Sequence, residues 1–211
     1  MTSTKGSAII GTVEQANYMM NLSEQAFEDI FEENTEILFK KEQENNKWIN
    51  ADGTYKKNYI WKYASRTKQG TAGENIIKTA LYFVLSSVYD SSISVDICNK
   101  GIGDFDIEVN IPQTNKTVKI EVKTATEDVS GNHQFNGLKK DIDYDYAVLL
   151  GITPDNFLFK IVSREELCDC MTTNMSKNVQ GSYKYTLSQK QLVEFNPTNF
   201  YTELCNIGII E

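Results

Sequence analysis

The sequence predicts an α/β (α+β) chain: a central mixed β-sheet flanked by helices, with a helical extension at the N-terminus. Three observations predict it. An apolar stripe runs through Ile76, Ile77, Ala80, Leu81, Val84, Leu85 and Val88 at intervals of three and four. Five short segments alternate apolar and polar residues with period two, and a second amphipathic stretch begins at Ser163.

Taken in order, residues 1–47 hold nine acids and four bases, with Phe27, Ile30, Phe31, Ile37 and Leu38 at helical spacing. This predicts an acidic amphipathic helix. Between Thr54 and Lys68 the character reverses: five bases, three tyrosines and a tryptophan, with no acid. Thr71-Ala72-Gly73-Glu74 then opens the principal helix, whose wide stripe suits packing on a sheet. Strands are expected over residues 92–98, 105–110, 117–124, 146–151 and 157–162, with Pro112 to Asn115 as a four-residue hairpin loop. At Ser163, a serine followed three residues later by Glu166 reads as a capped helix start. Gly181 to Thr186 reads as a strand and Ser188 to Val193 as a helical turn, and neither suggests a role. No linker or repeat divides the chain. The expectation is one domain, with residues 1–69 as a helical extension carrying the basic aromatic segment and residues 70–211 as the core with its C-terminal strand and helix.

Composition narrows the function classes. The 211 residues are 40% hydrophobic and 24% charged, ordinary for a globular chain. No apolar run approaches the roughly 20 residues of a spanning helix, and the first residues lack a basic start, so the expectation is a cytoplasmic protein without membrane association. Cys98, Cys168, Cys170 and Cys205 fit neither a disulfide framework nor zinc spacing. The net charge of -8 disfavours a general nucleic-acid coat, so any nucleic acid would be met locally.

One constellation carries chemistry. In Phe105-Asp106-Ile107-Glu108-Val109 the acids project from the face opposite the apolar residues, and in Val118-Lys119-Ile120-Glu121-Val122-Lys123 the residues Glu121 and Lys123 share a face. If the hairpin pairs Val109 with Val118, Asp106 lies opposite Glu121. Opposed carboxylates cost stability unless a cation lies between them, and a divalent metal would supply one. Magnesium takes one or two carboxylates plus waters and phosphate oxygens, and a neighbouring lysine can orient an attacking water. Glu74, on the stripe of Ile77, Leu81 and Val88, would bring a further carboxylate to the sheet-facing side of its helix.

Gly103-Asp104-Phe105-Asp106-Ile107, then Glu121-Val122-Lys123 after a turn, preceded by a Gly73-Glu74 helix, resembles the PD-(D/E)xK nuclease superfamily. The resemblance covers roughly residues 70 to 165, and it implies a restriction-endonuclease-like core: a helix, a three-stranded meander, a second helix and a further strand. It implies Asp106 as the metal-binding aspartate, with Asp104 as a rival because Phe105 replaces the proline of the motif. It makes Glu121 the second metal ligand, with Val122 completing the metal set, and Lys123 the catalytic lysine. Glu74 joins them as a metal or water ligand. The polar stretch His133-Gln134-Phe135-Asn136 would lie near the cleaved strand.

The resemblance implies a Mg2+-dependent type II restriction-like endonuclease acting on double-stranded DNA, with Mn2+ as a substitute. It would work as a homodimer or as the catalytic subunit of a larger recognition partner, docked through the acidic helix around Phe27 and Phe31. Candidate DNA contacts are Lys56, Lys57, Lys62, Arg66, Lys68, Gln134, Asn136 and Lys139. Plainer readings stand beside these. The hairpin acids would serve equally as a wet sheet face, and Glu74 as a helix-dipole partner. The aromatics of 54–68 would be core under solvated lysines, and Gln134 to Lys139 a polar loop and helix start. Two other functions remain open: a structure-specific repair or recombination nuclease, and a non-catalytic DNA- or protein-binding module.

Overall fold

The computed structural model describes residues 47–90, 92–98, 105–178 and 181–211. The expected acidic helix around Phe27 and Phe31, and Asp104, lie outside the described residues. The architecture is mixed α/β. A six-stranded sheet has the order β1 (Ser94–Ile97), β2 (Ile107–Ile111), β3 (Lys116–Thr126), β5 (Tyr146–Ile152), β6 (Phe157–Ser163) and β9 (Val193–Glu194). A second sheet of three strands has the order β4 (Asn132–Leu138), β8 (Tyr183–Ser188), β7 (Ser176–Lys177). Among the described strands only β3 and β5 run parallel; the other pairs are antiparallel.

Helix α1 (Arg66–Tyr89) covers one face of the large sheet together with α3 (Pro197–Asn206). Ile77, Leu81 and Leu85 of α1 are fully buried there against Ile107, Val109, Ile120 and Val148, each side chain contributing about 1.5–3 kcal/mol. α1 starts five residues earlier than its apolar stripe suggests, because Ser65 caps it by accepting a hydrogen bond from the Lys68 N–H. It stops at Asp90, whose φ of 69° leaves the helical region. The opposite face of the sheet packs Ala147, Leu149 and Val162 against Phe135, Leu138, Tyr185 and Leu187 of the second sheet. Leu167 and Met171 of α2 (Arg164–Thr173) join them. Ser163 caps α2 by accepting from the Glu166 N–H.

The hairpin β2–β3 pairs Val109 with Val118 and Ile107 with Ile120, joined by a 3-10 turn at Pro112–Thr114 that Asn115 closes with a φ of 53°. Between β3 and β5, where the resemblance implies a second helix, the described chain instead forms β4 and leaves the large sheet to pair with β8. The polar loop and helix start expected over Gln134 to Lys139 is therefore a strand. Among the described residues, no helix is long and apolar enough to cross a membrane. All four cysteines are free.

Candidate active site

β3 is longer than its neighbour β2. Residues 116–120 pair with β2 and residues 120–126 with β5, so beyond Ile120 the β2-facing edge of β3 is open. Asp106, one residue before β2, folds over that edge. Its N–H donates to the Ile120 carbonyl at 3.0 Å, and its Oδ2 accepts from the Val122 N–H at 2.8 Å. In a strand, the N–H and C=O of one residue point the same way, so the Val122 carbonyl also faces this edge.

Glu121 and Lys123 flank Val122 on the other face of the strand. The Lys123 ammonium donates to Glu121 Oε1 and lies 3.9 Å from Asp106 Oδ2, so it sits between two carboxylates. Only 4% of Glu121 is exposed. Burial pushes its carboxyl up to about 7; Lys123 opposes the rise and the Asp106 charge adds to it. The pair Asp106 and Glu121 thus carries a burial and repulsion cost that one lysine does not cancel.

The open edge forms the floor of a cleft of about 690 Å³. One wall is the start of α1, with Arg66, Gln69, Gly70 and Glu74; the other is β4, with Gln134, Asn136 and Gly137. Asp106, Val122 and Lys123 line the floor, and Glu121 lies buried beside Lys123. Two glycines make this approach possible. A Cβ on Gly73 would fall 1.9 Å from Thr124 Oγ1, so α1 presses on β3 closely enough to carry Glu74 to the cleft. Gly137, with a φ of 80°, sits where the β4–β8 register slips by one residue, a bulge that brings β4 beside Lys123. Glu74 is buried in the third turn of α1, too far inside the helix to act on its N-terminal dipole.

The structure therefore gathers Asp106, Val122, Lys123, Glu74, Arg66, Gln134 and Asn136 around one cleft. Lys56, Lys57, Lys62, Lys68 and Lys139 do not line it. Lys56 pairs with Asp155 at 2.7 Å, and the Lys62 ammonium lies over the Tyr63 ring. Tyr59 and Trp61 are core residues, Trp61 meeting Phe157 edge to face. Asn58 and Gln69 tie this segment down through bonds to the carbonyls of Thr153, Trp61 and Ala64.

Sequence reasoning missed Asp128, which also lines the cleft. Its pKa lies below the ordinary carboxylate value. The little burial it has works against ionisation, and hydrogen bonds from the Asn132 N–H, the Gln134 side chain and the Ser130 N–H outweigh it. The available signal was an Asp-Val-Ser-Gly turn directly after β3, an Asx-type pattern.

Among the described residues, no three His, Cys, Asp or Glu side chains form a ready-made metal cluster. The donors present are nonetheless hard oxygens, the carboxylates of Asp106 and Glu121 and the Val122 carbonyl. Hard oxygen donors of this kind fit a hard divalent cation.

The chain matches no known family profile and no curated protein. Among solved structures it is similar to a bacterial homing endonuclease, I-Ssp6803I, with 14% sequence identity and a TM-score of 0.42 over 69% of this chain and 95% of that one.

Proposed function

We propose that this chain is a magnesium-dependent, restriction-type DNA endonuclease, working as a homodimer or as the catalytic subunit of a larger enzyme. One observation carries the reading: the Lys123 ammonium lies between Asp106 and the buried Glu121 at the open edge of β3, inside a cleft wide enough for a phosphodiester. The cleft is lined by Glu74, Asp106 and Asp128 against Lys123 and Arg66, so a polyanion gains little by entering it without an added cation.

Asp106, Glu121 and the Val122 carbonyl would hold Mg2+, with Mn2+ as a substitute. Bound there, the ion supplies positive charge to the non-bridging phosphate oxygens and acidifies water. Lys123 then holds the attacking water in line with the phosphorus and offsets charge on the pentavalent phosphate. Glu74, on the opposite wall, orients water. Arg66 at the cleft mouth grips the backbone of the cut strand; as water attacks phosphorus the P–O3′ bond breaks, the 3′-oxygen leaves and takes up a proton, the attacking water gives its proton to solvent, and the product carries a 5′-phosphate.

Incubation of the pure chain with plasmid DNA tests this, in Mg2+, in EDTA, and with the Asp106→Ala and Lys123→Ala variants. Discrete fragments that need Mg2+ and fall at least about a hundredfold in both variants are expected. Cleavage that survives both substitutions would place the chemistry elsewhere. A chain that cuts only after a partner is added is the catalytic subunit.

A further inference from the structure

We infer that the outward face of the β4–β8 ribbon reads DNA sequence in the major groove; the inference rests on the endonuclease reading and assigns that enzyme its specificity surface. β4 and β8 pair antiparallel, with His133 opposite Leu187 and Phe135 opposite Tyr185, and these four turn inward to the core. By alternation, the outward positions are Asn132 opposite Ser188 and Gln134 opposite Thr186, with Lys184 two residues before Thr186. These are the side-chain types that bond base edges: Asn and Gln to adenine, Ser and Thr to any base, and Lys to guanine.

Charge distinguishes the same sheet and its turns. Residues 129–140 and 174–193, which make up this sheet and its turns, contain five lysines and no acid, in a chain with 29 acids and 21 bases. The carboxylate that borders this face, Asp128, is taken up by hydrogen bonds from Gln134, Asn132 and Ser130, and the lysines are left for phosphates: lysine phosphate contacts position a protein and uncharged contacts specify a sequence.

Continuity with the cleft supplies the third argument. Gln134 and Asn136 line the cleft that holds Asp106 and Lys123, so a duplex whose phosphate lies at Lys123 presents its groove to the adjoining ribbon. Asp128 Oδ2 accepts from Gln134 Nε2 at 3.1 Å, which fixes the amide orientation before DNA arrives. β7 pairs with β8 only at Tyr183 and Lys184, so over residues 132–135 and 185–188 the sheet is a two-stranded ribbon, and such a ribbon fits the roughly 12 Å major groove.

The experiment is a binding selection, separate from cleavage. The full chain in Ca2+, a hard cation suited to the same carboxylate oxygens, is mixed with duplex DNA carrying a randomised centre, and the bound fraction is sequenced for wild type, Gln134→Ala and Thr186→Val. The expected result is an enriched motif in wild type, with one or two positions in each variant losing about ten- to hundredfold of their preference and the others keeping theirs. Both side chains are exposed, and an unchanged Tm confirms that each variant is folded. A motif identical in all three proteins overturns the inference and leaves the endonuclease reading intact. Duplex binding without any motif overturns it also. A chain that alone neither selects duplex nor cuts plasmid overturns the inference, since its specificity would then lie in a partner, and the endonuclease reading is judged separately by cleavage once that partner is added.

Discussion

Glu121→Gln should make this protein more stable and less able to bind metal. The carboxyl of Glu121 titrates near 7 in the fold, against 4.5 for an unperturbed glutamate, because burial penalises its charge more than Lys123 offsets. Between these two pH values the native state binds the proton that the unfolded chain releases. Stability therefore falls as pH rises from about 4.5 to about 7 and stays low above that. At about 1.4 kcal/mol per pH unit, the ionised side chain costs the fold about 3 kcal/mol at pH 8. Glutamine imitates the protonated acid. The variant should match wild type at pH 4 and exceed it at pH 8 by about 3 kcal/mol, or roughly 6–12 °C in Tm for a chain this size. Urea unfolding of both proteins in EDTA across that range isolates the difference, since every other titrating group is common to the two. Added Mg2+ should then raise the stability of wild type and leave Glu121→Gln nearly unchanged. A difference that is flat with pH, or a variant weaker than wild type at pH 8, would show that the Glu121–Lys123 pair is favourable and that no uncompensated charge awaits a metal.

Three further outcomes are expected. Glu74→Gln should cut kcat roughly tenfold with little change in DNA affinity, because the amide keeps the shape but not the charge that orients water; an unchanged kcat would return Glu74 to a packing role. Gly73→Ala should cost about 1–3 kcal/mol in urea unfolding, despite the roughly 1 kcal/mol that alanine gains over glycine in a helix, since its methyl meets Thr124 Oγ1. Thr124→Ala in the same chain should recover most of the loss, and a neutral Gly73→Ala would mean that α1 does not press on β3. Arg66→Ala should weaken duplex binding equally for all sequences and lower the salt slope of log K by about one, read by fluorescence anisotropy from low to moderate salt. A loss confined to some sequences would make Arg66 a base reader.

The hairpin β2–β3 was legible in the sequence because strict alternation at 105–109 and 118–123 and a Pro-led turn leave one register that buries every apolar residue. The stripe of α1 was legible for the same reason. Its first turns were not, because Arg66 to Gly70 offer no apolar periodicity and gain their order from Ser65 and Gln69. β4 was hidden by its own bulge. Phe135 and Leu138 are both buried yet stand at opposite parity, so the period-two signal breaks at Gly137, where the strand bends toward Lys123. The basic segment misled through its lysines: the aromatics between them belong to the core, and only Arg66 reaches the cleft. Asp128 was visible only as the first residue of a turn, and its place in the cleft comes from the fold.

The departure of β4 from the large sheet also sets an order of assembly. The floor of the cleft comes from residues 106–123 and one wall from α1, all ahead of β4 in the chain. The other wall is a strand whose hydrogen-bonded partner, β8, lies some fifty residues further on. A nascent chain that has not reached Tyr183 lacks the partner strand of that wall, and it lacks α3 as well, whose Phe200 and Leu204 complete the core on the other face of the large sheet. The second wall of the cleft is therefore completed only once β8 has been made, after the floor and the first wall are already in the chain.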